Sequence, residues 1–127
     1  MRWAAFEDAA YAAMRIIVAF LYLSHGLQKA LGLFGGHAVP PDSLLGSAGL
    51  IETVLGPLLL VGLFTRWAAF LACGEMAVAY FTQHAPRGGL PVQNQGELAV
   101  AFCFVFLFVL VHGGGALSLD RVLRRRS

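Results

Sequence analysis

Charge is scarce in this sequence. Only 13% of its 127 residues are charged, nine basic and seven acidic, and no basic patch of the kind that binds nucleic acid can be assembled from them. Cysteine is nearly as rare. Cys73 and Cys103 are the two present, with no C-x-x-C spacing, which excludes a disulfide-exchange enzyme of the usual design and leaves them as small packing residues. Also missing are a phosphate-cradling glycine loop, a dinucleotide fingerprint and a hydrolase nucleophile elbow. No repeat, linker or composition shift divides the chain, so 1–127 reads as one domain.

What is abundant is apolar surface. The chain is 58% hydrophobic with ten Phe, and its mean hydropathy is +0.72, more than a soluble protein of this size could cover. Four apolar stretches stand out at about 12–34, 44–64, 67–83 and 97–112, each near the length that crosses ~30 Å of hydrocarbon. Glu7 and Asp8 precede the first run, and no basic leader with a small-residue cleavage pattern is evident, so that run is expected to stay as a span. With four spans, Arg2, Arg15, Arg66, Arg121, Arg124, Arg125 and Arg126 fall on one side, leaving Lys29 and Arg87 near the other. This asymmetry places both termini in the cytoplasm. The sequence therefore predicts an all-α integral membrane protein of the bacterial inner membrane, a four-transmembrane-helix antiparallel bundle. Its basic tail, 117–127, reads as a short helix on the inner leaflet or as a solubilising stop-transfer cluster.

The spans are interrupted by groups that bilayers exclude. A charge at the bilayer centre costs at least ~2.5–3.5 kcal/mol, yet Ser24-His25-Gly26-Leu27-Gln28-Lys29 lies in the first run, Glu52 in the second, Glu75 in the third, and Glu97 opens the fourth. Helix rise puts Lys29 roughly 5 Å below the outer face, His25 and Glu52 roughly 10–12 Å below it, Glu75 near the middle, and His84 and Glu97 at the boundary. His25, Gln28, Lys29 and Gly32 share one helix face, as do Gly49, Glu52, Thr53 and Gly56. These side chains are expected to meet in a recess opening outward, with the inner half of the bundle almost purely apolar. Gly46, Gly49, Thr53 and Gly56 on the second span, and Ala68, Ala72 and Ala79 on the third, would let the backbones approach closely. Pro57 is expected to kink the second helix, or to free carbonyls that bend it or bind a ligand. Thr65 is the expected N-cap of the third. The loops at 35–43 and 85–96, rich in Gly and Pro, would cap the outer end.

Taken together, His25-Gly26-Leu27-Gln28-Lys29 with Gly35-Gly36, Ala48-Gly49-Leu50-Ile51-Glu52, Gly62-Leu63-Phe64-Thr65-Arg66, Ala79-Tyr80-Phe81-Thr82-Gln83-His84-Ala85-Pro86 and Asn94-Gln95-Gly96-Glu97 resemble the DoxX family of small bacterial membrane proteins. The likeness runs from about Arg15 to Leu123. One departure is Gln95, where the family pattern often has glycine. The resemblance implies a four-helix membrane protein and raises redox work near quinone, because the family takes its name from a subunit of a thiosulfate:quinone oxidoreductase.

On that basis the chain is expected to be the membrane subunit of a quinone-linked redox complex handling thiosulfate, thiols or oxidative stress. Any flavin, haem or metal would belong to a partner protein. Glu75 and His25 are the expected catalytic, proton-handling groups, with Lys29, Glu52, Glu97, Asn94, Gln28 and His84 binding substrate. Lys29 with Glu52 or Glu97 could hold an anion or form a buried ion pair that fixes register. No metal site is expected, since His25 and His84 differ in depth by roughly 10 Å and neither has a second His at i+4. No covalently bound cofactor is expected, and the ligands would be lipid and quinone. The alternative is a proton or small-molecule pathway, or a scaffold that works only by assembling, as in a homo-oligomer.

Overall fold

A computed structural model describes residues 3–126, whose regular elements are all helices joined by loops, with no strand among the described residues. The helices are α1 (Trp3–Leu31), α2 (Leu44–Val61), α3 (Thr65–Ala79), the single turn α4 (Pro91–Asn94), α5 (Glu97–His112) and α6 (Leu119–Arg126). By length and composition α1 and α2 can each cross a membrane, while α5 is apolar but has only 16 residues. α3 runs on into a π turn at Tyr80–His84 and a 3-10 turn at Ala85–Arg87.

α1 packs along α2 and α3 along α5, and α2 also touches α3. Between them lies a core in which Tyr22, Leu59, Ala69, Ala72, Phe106 and Val109 are buried. The outside is apolar as well. Phe20, Val54, Phe70, Phe104 and Phe108 are more than half exposed, a surface expected of a chain solvated by lipid rather than water.

Glycine sets the closest contact. A Cβ on Gly26 would lie 2.7 Å from the Cβ of Glu52, one on Gly49 2.6 Å from that of Lys29, and one on Gly56 2.7 Å from that of Leu23. The small-residue face of α2 therefore presses directly on α1, which brings Glu52 beneath Lys29. α2 starts at Ser43, whose hydroxyl accepts from the Gly46 amide at 3.0 Å, and ends at Gly62 in the left-handed conformation. It runs unbroken through Pro57.

Three expectations are corrected. The first helix begins at Trp3 rather than near residue 12, so Glu7 and Asp8 are helical. Thr65 does not cap α3. Its cap comes from Asp120, whose carboxylate accepts from the Phe64 amide at 2.8 Å, the Thr65 amide at 2.9 Å and the Thr65 hydroxyl at 2.7 Å, ties that local sequence cannot reveal across 55 positions. Nor is the end of the bundle away from the polar recess purely apolar. Arg15 is 3% exposed there, and its guanidinium donates to the carbonyls of Leu59 at 3.0 Å, Leu60 at 3.3 Å, Gly114 at 2.6 Å and Leu117 at 3.1 Å. Tyr11 adds a 2.6 Å bond to the Gly113 carbonyl. A residue counted as a surface charge is the clasp holding 113–117 to the end of α2.

Asp120 gives that clasp a pH dependence. Burial works against its ionisation, but the hydrogen bonds from Thr65 and Phe64 outweigh burial and, with Arg124, hold the carboxyl below its ordinary value of 3.8. A carboxyl depressed in the folded state stabilises it at every pH above the ordinary value, and that contribution disappears as pH falls through the depressed one. Amide protection in 118–126, taken relative to the unstructured chain at the same pH, should therefore be flat from neutral pH to about 4 and fall below it. Asp120→Ala should lower it at neutral pH, with a cost of about 1 kcal/mol typical of a lost cap.

Candidate functional site

Tyr22, His25 and Lys29 follow one another at i, i+3 and i+7 on α1 and so share a face. That face looks across at Glu52 of α2, Met76 of α3 and Phe102 of α5, and together they line a recess of about 380 Å³. His84, Gln83 and Arg87, which follow α3, line it too, with Gln95 ahead of α5.

Two polar pairs involve its lining, Lys29 with Glu52 and Tyr22 with Glu75, of which Glu75 alone lies outside it. The Lys29 ammonium donates to both carboxylate oxygens of Glu52 at 3.0 Å, and Glu52 is 1% exposed, so this is a desolvated pair rather than a surface ion pair. The Tyr22 hydroxyl, on a fully buried ring, donates to Oε1 of Glu75 at 2.8 Å. Oε2 of Glu75 is buried and lacks a hydrogen-bond partner among the described residues. An unpaired buried oxygen is costly. Glu75 also lies in the fields of Glu52 and Lys29, so the two pairs act as one electrostatic group.

Behind the Tyr22–Glu75 bond lies a second space. Glu75 lines an apolar groove of about 840 Å³ between α2 and α3, while Tyr22 lines the recess. Their hydrogen bond joins a residue lining one space to a residue lining the other.

The other expected site residues are distributed differently. His25 faces Phe102 edge-on, with centroids 6.3 Å apart, inside the recess. His84 lines the same recess, its Nδ1 3.1 Å from the Asn94 carbonyl, so the two histidines share one space despite their depths in sequence. Gln28 turns away, donating to the Phe34 carbonyl at 3.0 Å. Asn94 is occupied in tying the second loop: its amide donates to Tyr80 and Gly88 at 3.1 Å each and accepts from Gly96 at 2.9 Å. Glu97 is exposed in the first turn of α5, outside the recess lining, where its charge suits the helix dipole.

Tyr22 escaped the sequence reading, although its place three residues before His25 marked it. The cysteines were expected only as small packing residues, and the Sγ atoms of Cys73 and Cys103 lie 3.7 Å apart as free thiols. Among the described residues no group of three or more His, Cys, Asp and Glu side chains could hold a metal.

The DoxX family model matches residues 10–85, more than half of the chain and the whole of both polar pairs. The chain belongs to the DoxX family. A Haemophilus influenzae (strain KW20 / Rd) relative described as an uncharacterized protein is 44% identical over 114 residues, covering 84% of this chain and 85% of the relative. An uncharacterized membrane protein of Mycobacterium tuberculosis (strain H37Rv) is 29% identical over 132 residues, covering 90% of this chain and 81% of its own. No solved structure matches. This DoxX protein is accordingly a membrane protein; the recess lining from Tyr22 to His84 falls within the matched residues, and its part from Arg87 to Phe102 lies beyond them.

Proposed function

We propose that this DoxX protein is a four-span protein of the bacterial inner membrane, both termini cytoplasmic, and the membrane subunit of a quinone-linked redox complex. The helical path 65–84, unbroken from α3 through the π turn, supports a third span at ~30 Å of helix rise, and α5 a fourth at ~24 Å. One observation carries the functional reading. Tyr22, His25, Lys29 and Glu52 line one recess, with Lys29 paired to Glu52 and Tyr22 hydrogen-bonded to Glu75 beside it.

The chemistry of that donor set suits a quinone head group. A quinone, when bound, supplies the two-electron acceptor, with electrons drawn from a redox partner protein and a proton needed at each carbonyl oxygen. Tyr22 and Glu75 present a hydrogen-bonding pair at the edge of a dry space, His25 offers a second proton carrier, and Phe102 gives the ring a flat aromatic wall. Lys29 and Glu52, bound to each other, hold α1 and α2 in register around the head. A sulfur oxyanion taken up by Lys29 would compete with that pair.

The test is native mass spectrometry of the protein released from its own membrane. Quinone should accompany the wild type, and its occupancy should fall roughly tenfold or more in Glu75→Gln and His25→Ala, since a hydrogen bond to a charged group is worth ~1.5–3 kcal/mol. Helical circular dichroism should be retained in both. A stable oligomer with no quinone that moves a solute in liposomes would replace this reading with that of a pathway.

A further inference from the structure

Glycine inside a helix costs about 1 kcal/mol relative to alanine, so an interior glycine calls for a reason. For Gly26, Gly46, Gly49 and Gly56 the reason is visible, because an added Cβ would run into a neighbouring segment. Gly74 in α3 is different: a Cβ there would meet nothing within 4 Å. No packing partner requires it to be small.

Gly74 does line the groove between α2 and α3, next in sequence to Glu75. The groove walls are apolar, and Leu50, Ile51, Val54, Phe70, Leu71 and Val78 on its rim are each more than two-fifths exposed, so it opens on the lipid-facing side of the bundle. The wall contributed by α2, from Leu44 to Leu55, is roughly 17 Å long by helix rise. At its inner edge stand Glu75 and, through it, the Tyr22 hydroxyl. The shape is that of a slot with a single polar end, and the missing side chain at position 74 widens it beside that end.

We propose that this groove seats the apolar tail of a quinone, that the quinone reaches Tyr22 and Glu75 sideways from the bilayer rather than through the outer recess, and that Gly74 is the residue that keeps the slot open. The inference rests on the quinone reading above and adds the direction of approach and the tail site. An amphiphile is required because Glu75 is the one carboxyl in an otherwise mostly apolar lining, the hydroxyls of Ser47 and Thr82 being spent on the Leu44 and Val78 carbonyls of their own helical turns. A single chain is required because the groove is a slot walled by α2 and α3, with Leu107 and Leu110 of α5 also lining it, rather than one broad face. Lipid offers a tail no hydrophobic gain on entering, so discrimination must come from fit, and fit is what a bulky residue at position 74 would remove.

The experiment measures binding of two probes, a decyl-tailed benzoquinone and the same ring without a tail, to the protein in nanodiscs, with concentrations expressed per lipid. Gly74→Phe should weaken the tailed probe at least tenfold and leave the tail-less probe unchanged, while Gly74→Ala should bind both as the wild type does. A Cβ at position 74 meets no neighbour within 4 Å, and unchanged helical circular dichroism checks that Gly74→Phe folds. If Gly74→Phe binds both probes like the wild type, or loses both alike, the tail site is wrong while the quinone reading stands. If neither probe binds the wild type, both fail. A phospholipid chain or a second copy of this protein found in the groove, and not displaced by the tailed probe, likewise overturns the proposal.

Discussion

Arg15→Ala is expected to be among the most damaging single substitutions in this protein, lowering stability in mild detergent by ~3–5 kcal/mol. The guanidinium satisfies four carbonyls drawn from the end of α2 and from 114–117, and alanine would leave them buried and unpaired. Arg15→Lys should recover little, because one ammonium cannot span four acceptors that a planar fork reaches at once. The signature is local as well as global. Exchange should rise first across 113–120, where Tyr11, Arg15 and the Asp120 amide bond to Gly62 hold the chain.

The second large effect concerns Lys29 and Glu52. Lys29→Met should cost about 3 kcal/mol, because it abandons a carboxylate that is 1% exposed. Glu52→Gln should cost less, since the lysine side chain is 24% exposed and its ammonium can reach toward the polar boundary. Lys29→Met combined with Glu52→Leu should return close to wild-type stability, as buried pairs replaced together by apolar groups often do. The coupling in a thermal-melt double-mutant cycle is therefore expected to approach the whole cost of the worse single substitution. Additive costs would show that the two groups act separately, as they would if Lys29 were held ready for an anion.

Much of this was written in the sequence where the signal was periodic. The apolar runs gave α2 and α5 nearly to the residue, and helical spacing put Lys29 and Glu52 each on the polar face of its own helix, because both depend on local geometry that 3.6 residues per turn enforces, while the partner of Lys29 stayed open between Glu52 and Glu97. What was missed depends on contacts distant in sequence. Asp120 caps α3 from the far end of the chain, Arg15 is bound by carbonyls that any residue could supply, and Cys73 meets Cys103 only because α3 packs on α5. Asn94 and Gln28 looked like ligands by type, but their amides serve loop backbone. Gln95 is instructive: it holds φ 60° at the end of α4, the conformation glycine adopts most easily, which fits the glycine that the family resemblance led one to expect there.

The account turns on Glu75 touching the ligand. Infrared difference spectroscopy, recorded on the purified protein in lipid with and without the decyl-tailed quinone, reads this directly through the carboxyl bands. The expected result is a carboxyl band that shifts when quinone is added, moves again in Tyr22→Phe, and is lost in Glu75→Gln. A difference spectrum that is the same in wild type and Glu75→Gln would mean that the quinone, wherever it binds, does not meet this carboxyl.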